Sequence, residues 1–441
     1  IQVANNVTDT IVGGANSAVS LTFDALGVIS AASNVALQVN TADIASGAVT
    51  DAKIADVANT KVTGVMTTAQ VADSAITVSK LATTVAGALG VRNLIINGDM
   101  RIAQRGTSAV TGTSGYPVDR WFKVDNTSAY YSSQQSSTVP STLGIASSIY
   151  NVVTTPTTAT GSIEKNIQYR LEGNHIAHLG YGTANAKTCT LSFWVRSNTT
   201  GTYCVSMREG TSVNRCYIVE YTINSVDTWE QKTITFTGDT GGTWLSDNSR
   251  AMIITWDLGS GSSVQTATIN SWHASAAVRT SNQTDWVGTS GATFYITGVQ
   301  LEVGDTATPF EHRPYDMELA RCQRYAYMIP NSDTTGVGDG ALVSTSGYMT
   351  TGGNMAGVYC MPVTMRYTPV ISVTGTSNLD IGYTDGTITI VNGTSVSLIS
   401  HISNKNQIFY LVTGSAHASE PAFLRYKDST MSPVFLIEAE L

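Results

Sequence analysis

The sequence predicts a mainly β protein: an extended stem, then a β-sandwich, a short helical connector and a second β-sandwich at the C-terminus. Three observations predict it. Charged residues are only 13% of the 441-residue chain while glycine contributes 39 positions, a profile of short strands joined by tight turns. Runs alternating apolar and polar residues recur from residue 116 onward, with no long helical pattern among them. Residues 24–115 contain no Phe, Tyr or Trp, the side chains that dominate core burial, so that stretch builds no ordinary core alone. The expected divisions are a repetitive stem and attachment region at 1–92, a sandwich at 93–312, a connector at 313–330 and a tip at 331–441.

The stem carries a repeat. "DIASGAVTDAKIA" at 43–55 returns as "QVADSAITVSKLA" at 70–82, with apolar beats at Ile44, Val49 and Ile54, then Val71, Ile76 and Leu81. Beats five residues apart fit neither the helical period nor the strand alternation. Identical chains wound together bury them at a shared axis, where each Val, Ile or Leu contributes about 1.5–3 kcal/mol. These six residues are therefore the expected contacts between chains. The chain opens on Ile1, which implies processing or an upstream segment, and it closes on a strand-like run, as expected of a finished end.

Aromatic residues return with "YPVDRWF" at 116–122. "TCTLSFWVR" then places Cys189, Leu191, Phe193 and Val195 on one face and Thr190, Ser192, Trp194 and Arg196 on the other. "YCVSMRE", "RCYIVEYTI", "WEQKTITFTG", "AMIITWDLG" and "ATFYITGVQLEVG" continue the series between turns rich in Gly, Ser, Asn and Asp. Residues 313–328, "RPYDMELARCQRYAYM", form the helix candidate, with Pro314 suited to a first turn and Asp316 and Glu318 to the positive end of the dipole. After "NSDTTGVGDG" the tip supplies "GVYCMPVTM", "TPVISVTG", "GTITIVNG", "QIFYLVTG" and "PVFLIEAEL".

"NLIINGDMRIAQRG…YPVDRWF", "FYITGVQLEVGDTATPFEHRPYDMELARCQRYAY" and the closing "MPVTMRYTPVISV…FLIEAEL" resemble the distal part of bacteriophage tail fibres. The stem repeat containing "GAVTDAKIA" is similar to the trimeric stems of such fibres. The resemblance spans roughly residues 40–441, although Tyr-Ala-Tyr at 325–327 stands where the pattern keeps adjacent aromatics. It implies a carbohydrate-binding-module-like jelly roll followed by a small tip domain, homotrimers, and a place in the virion tail after synthesis in the host cytoplasm. It also implies host-surface binding, and other tail or baseplate proteins on the N-terminal side. It supplies no agreed set of ligand residues.

Several function classes are excluded by composition. A net charge of −8 opposes phosphate-directed nucleic-acid binding. No apolar run approaches the length of a membrane span, so no membrane insertion is expected. The five cysteines (Cys189, Cys204, Cys216, Cys322 and Cys360) have no CxxC spacing and read as buried free thiols. No nucleotide-binding, hydrolase or EF-hand motif occurs. His175 and His178 have a metal-like spacing without accompanying ligands, and Asp239, Asp247 and Asn248 suit turn chemistry as well as calcium. No metal and no cofactor is expected. Glu164, Glu172, Glu209, Glu220, Glu230, Asp257 and Glu302 offer no pair that spacing singles out for glycoside hydrolysis, and no β-helix repeat is present. The expectation is a chain that is not an enzyme.

Binding has clearer candidates, because sugars stack their C–H faces on aromatic rings and pair their hydroxyls with polar groups. Trp194 lies on the polar face of its strand beside Arg196, while Trp244, Trp272 and Trp286 fall in loop-like segments. Trp229, Trp256 and Phe236 are expected in the core. In the tip, loops around Tyr348, Tyr383 and Tyr426 are further glycan candidates, and the tip is expected to meet the host first. The reading is a fibre that binds a host-surface glycan or envelope protein. The alternatives are a polysaccharide depolymerase and a structural collar or whisker protein.

Overall fold

The computed structural model describes residues 17–23, 25–27, 29–36, 92–126, 128–212, 214–329, 342–349, 354–373, 379–384, 388–392, 395–401, 407–413, 421–426 and 435–441. The chain divides into two compact units, 1–76 and 77–441. In the first, β1 (Ser17–Phe23) and β2 (Ile29–Ala36) form an antiparallel hairpin whose turn places Gly27 in the left-handed region. The stem contacts Ile44, Val49, Ile54, Val71, Ile76 and Leu81 lie outside the described residues.

The second unit is a two-sheet antiparallel sandwich with further sheets after it. Its strands are β3 (Ser114–Val118), β4 (Trp121–Asp125), β5 (Tyr131–Ser136), β6 (Ser148–Val153), β7 (Lys165–Glu172), β8 (Cys189–Ser197), β9 (Gly201–Glu209), β10 (Arg215–Ile223), β11 (Glu230–Phe236), β12 (Arg250–Asp257), β13 (His273–Ala274) and β14 (Thr293–Val303). One sheet runs β13-β10-β9-β12-β7-β4-β3 and the other β11-β8-β14-β6-β5. The mainly β expectation holds, and so does the alternation read in β8. Cys189, Leu191, Phe193 and Val195 all face the core with no exposed surface. There Phe193 meets Trp256 edge-on at 5.7 Å, and Trp256 leans on Trp121 at 5.3 Å. Such contacts add about 0.5–1.5 kcal/mol each to the burial of the rings.

The lead-in "NLIINGDMRI" is structural. Asn93 donates from Nδ2 to the Val299 carbonyl and accepts the Ile95 and Leu301 N–H groups through Oδ1, stapling the segment to β14. A Cβ on Gly98 would overlap the Val299 carbonyl oxygen, so only glycine admits this approach. Asn97, at positive φ, ties Ile102 and Asp119 together.

The helix Tyr315–Gln323 leads into β15 (Ala326–Ile329). Beyond it come β16 (Leu342–Met349), β17 (Asn354–Cys360), β18 (Val370–Val373), β19 (Leu379–Thr384), β20 (Ile388–Asn392), β21 (Ser395–His401), β22 (Gln407–Thr413), β23 (Pro421–Tyr426) and β24 (Phe435–Glu438). A seven-stranded sheet runs β20-β19-β23-β16-β17-β22-β21, while β24 lies between β15 and β18 in a separate three-stranded sheet. The final strand therefore returns beside β15, the strand that precedes β16, with Ile329 opposite Phe435. Arginines from the sandwich hold it. Arg105 reaches Glu438 at 2.7 Å and Glu440 at 3.1 Å, Arg120 pairs with Glu440, and Arg170 donates to the Leu441 carbonyl at 2.6 Å.

All five cysteines are free of disulfides; Cys189, Cys204, Cys216 and Cys322 are buried as expected. Cys360 is exposed, a correction that follows from its place at the end of β17, where the chain leaves the sheet.

Candidate functional site: an aromatic sheet face

The two outer faces of the sandwich differ. Over the sandwich sheet β13-β10-β9-β12-β7-β4-β3, the segment after β12 folds back and buries Cys204, Cys216, Ile218 and Ala277 against one another. Gln283 from that segment accepts the Cys204 N–H at 2.6 Å and fixes it in place. The five-stranded sheet instead carries partly exposed side chains on its outer face.

Cross-strand register assembles this face from residues far apart in sequence. Trp194 on β8 stands opposite Gln231 on β11 and Thr297 on β14. Arg196 stands opposite Tyr295, Tyr295 opposite Tyr150, and Tyr150 opposite Gln134. The rings of Tyr150 and Tyr295 stack at 4.7 Å, and Trp229 meets Tyr295 edge-on at 6.1 Å, giving one aromatic row. The Arg196 guanidinium lies 5.0 Å from the Tyr295 centroid. The Asp227 carbonyl accepts from Arg196 Nε at 2.8 Å and the Asp227 carboxylate pairs with Nη2 at 3.0 Å. Glu230 anchors the loop carrying Asp227. Against the burial that would raise it, the Lys232 ammonium and the N–H groups of Ser225 and Asn224 hold its carboxyl down at about 2. Burial and the neighbouring Tyr295 raise the Tyr150 hydroxyl above its ordinary 10.0, so it remains a donor.

Trp194 is positioned by a glycine. Gly298 sits at φ +59, and a Cβ there would overlap Leu143 and press on the indole at 3.1 Å. The loop bearing Leu143 thus forms a wall beside Trp194, closed by a hydrogen bond from Thr297 Oγ1 to the Ser147 carbonyl at 2.7 Å. The Trp194 and Trp229 indole N–H groups, the Tyr150 and Tyr295 hydroxyls and the side-chain amides of Gln134 and Gln231 form no hydrogen bond with any described residue. The face therefore offers ring surface together with unspent donors and acceptors.

The other sequence candidates are dispersed. Trp244 and Trp272 meet at right angles, 5.4 Å apart, at another corner of the sandwich. Their N–H groups are spent internally, on Asp239 at 3.1 Å and on the Thr237 carbonyl at 2.6 Å. Trp286 is a correction: it has no exposed surface and packs on Tyr131 and Phe294. Its polar segment tucks inward because the Thr284 and Val287 N–H groups bond to Thr202 and Leu258. Trp229 is a second correction, lying half-buried on the outer face. It immediately precedes β11, an odd number of residues from the buried Phe236, so along this extended run the two side chains point to opposite faces. Trp256 and Phe236 are fully buried. Tyr348, Tyr383 and Tyr426 fall on strands β16, β19 and β23 rather than in loops, and their side chains lie outside what is described.

The polar candidates have structural partners. Asp239 accepts from Arg215 Nε at 2.6 Å and from the Gly241 N–H at 3.1 Å. Asp247 caps the Ser249 N–H. His175 and His178 occupy the short turn after β7, His175 partly buried and His178 exposed. Glu164 pairs with Arg208 at 3.1 Å, and Glu172 with Arg324 at 2.6 Å. Glu209 caps Thr211 and Ser212, and Glu220 accepts from Thr280 and Asn282. Glu302 holds Thr308, and Asp257 caps Gly259 and Ser260.

No family model and no curated protein matches the chain. Among solved structures it is similar to the enzymatically active domain of tailspike protein 4 from bacteriophage CBA120, at 14% identity and TM-score 0.27 over 48% of this chain and 21% of that one. It is also similar to the family 11 carbohydrate-binding module from Clostridium thermocellum in complex with a β-1,3-1,4-mixed-linked tetrasaccharide, at 14% identity and TM-score 0.24 over 46% and 100%. A third is the CBM22-1 xylan-binding domain of Paenibacillus barcinonensis Xyn10C, at 7% identity and TM-score 0.23 over 49% and 96%. The expectation of a chain that is not an enzyme is corrected here and withdrawn, since one of the matched structures is an enzymatically active domain.

Proposed function

We propose that the outer face of the five-stranded sheet binds a glycan, and that the chain acts as the distal part of a homotrimeric bacteriophage tail fibre during attachment to a host cell. The observation that carries the reading is the row Trp229–Tyr295–Tyr150, flanked by Arg196 and Trp194, with its indole, phenol and amide groups unspent. Stacked rings take the apolar faces of successive sugars, and the free donors and acceptors take their hydroxyls. The sequence resemblance to tail fibres supports the attachment role, the virion location and the tail or baseplate partners on the N-terminal side. A shallow platform suffices in a trimer, since joint engagement of three weak sites gains roughly 10²–10⁴ in avidity.

Calorimetric titration of the purified chain with host-surface polysaccharide tests the reading. Tyr295→Ala and Trp194→Ala should each weaken binding by about 1–2 kcal/mol through lost stacking and apolar area, with little change in Tm. Trp272→Ala, at the other corner, should leave affinity unchanged. Unaltered binding by both sheet-face variants disproves the platform.

A further inference from the structure

A cleft of about 210 Å³ opens beside the helix Tyr315–Gln323 and is lined by Asn93, Leu94, Ile96, His175, Arg321 and Arg324. Its polar groups are not equivalent. Asn93 spends its side chain on β14. Arg324 is held in a two-point grip by Glu172, at 2.6 and 3.1 Å. Arg321 is different, for its guanidinium forms no hydrogen bond or ion pair with any described residue. The carboxylates whose field it feels, Glu318 and Glu311, are both engaged by Arg313 at 3.2 and 3.1 Å. Partial burial, and then the nearby Arg313 charge, hold the Arg321 guanidinium below its usual 12.5. A half-buried cation without a counter-ion is costly, and a bound anion relieves it.

The rest of the lining narrows the anion. Burial pushes His175 down to about 4, so the imidazole is neutral and offers one donor and one acceptor. Leu94 and Ile96 form an apolar wall. We infer that this cleft binds the carboxylate of an acidic sugar, with Arg321 forking the carboxylate, His175 meeting a ring hydroxyl and Leu94 and Ile96 packing on the C–H face. A bare carboxylate leaves the imidazole and the wall unused, and a neutral hexose leaves Arg321 unmatched. The site is separate from the sheet face and goes beyond it, adding selection for charge.

Titration of the full chain with glucuronate, glucose and acetate tests the inference. Glucuronate should bind at least about tenfold more tightly than either of the others. Arg321→Gln should weaken glucuronate binding about ten- to a hundredfold, the range for hydrogen bonds to a charged group. Arg321→Lys should fall between, since an ammonium supplies charge without the planar fork. Neither variant removes a described ion pair, so both should keep the parent Tm. Acetate binding as tightly as glucuronate, glucose matching it, or an unaffected Arg321→Gln would each overturn the assignment. Trp194→Ala should not change glucuronate binding; a loss there with Arg321→Gln unaffected moves the acidic sugar to the sheet face and also overturns the cleft.

Discussion

At the residue scale, burial of charge makes Asp257 a sensitive position. It is fully buried at the end of β12; its Oδ1 accepts the Gly259 and Ser260 N–H groups, while Oδ2 has no hydrogen-bond partner among the described residues. Desolvation raises its carboxyl from 3.8 to about 6, outweighing those hydrogen bonds. The folded state thus holds the proton more tightly than the unfolded chain does. Its contribution to stability is complete below about pH 4 and is lost as pH rises through about 6, a swing of about 2–3 kcal/mol for a shift of this size. Asp257→Asn keeps the Oδ1 bonds and cannot ionise. Urea unfolding at pH 4 and pH 7 should therefore show the variant gaining on the parent by about that amount at the higher pH. Asp119, similarly raised to about 6, is present in both chains and cancels in the comparison. Parallel pH profiles would refute the assignment.

At the element scale, what the sequence reveals follows from what local periodicity records. The β8 alternation is legible because Cys189, Leu191, Phe193 and Val195 stand at every second position, which also places Trp194 and Arg196 outward. The same parity in "ATFYITG" sets Tyr295 opposite in face to Phe294 and Ile296, the signal by which it is found. That Tyr295 lies beside Arg196 and Tyr150 is a matter of register among β8, β14 and β6, strands distant in sequence, and no local pattern encodes it. Trp286 shows the converse: polar neighbours suggest a surface loop, yet backbone bonds to other segments carry the ring into the core. Gly298 was likewise silent in sequence. Gly298→Ala meets both a left-handed backbone and an overlap with Leu143, and should cost about 1–2 kcal/mol or more in unfolding free energy. Because the displaced methyl presses on Trp194, its fluorescence should also shift; an unchanged spectrum and stability would show that the wall is not fixed by this glycine.

At the scale of the whole molecule, the returning C-terminal strand decides how a role for the strands between β15 and β24 can be tested. Cutting the chain at residue 330 removes Glu438, Glu440 and Leu441, and so strips partners from Arg105, Arg120 and Arg170. Arg120 is 2% exposed, and leaving such a charge unpaired costs about 3–5 kcal/mol. Lost binding in that truncation would report unfolding, not a receptor site. The pairing suggests a better excision. Val373 on β18 stands opposite Phe435 on β24, so a short glycine-rich turn can replace 374–434 and join the two strands as a hairpin. A flexible linker can replace 331–359, leaving the segment that carries Arg366, whose side chain donates to the Ala439 and Glu440 carbonyls at 2.7 and 2.8 Å. Every residue of the aromatic face lies between Gln134 and Thr297, outside the excised segments. The trimmed chain should melt cooperatively near the parent Tm and bind host polysaccharide with unchanged Kd, whereas the chain ending at 330 should melt several degrees lower. If the trimmed chain stays folded and loses its glycan affinity, recognition resides in the strands that were removed, among them those carrying Tyr348, Tyr383 and Tyr426, and the sheet face is not the receptor site.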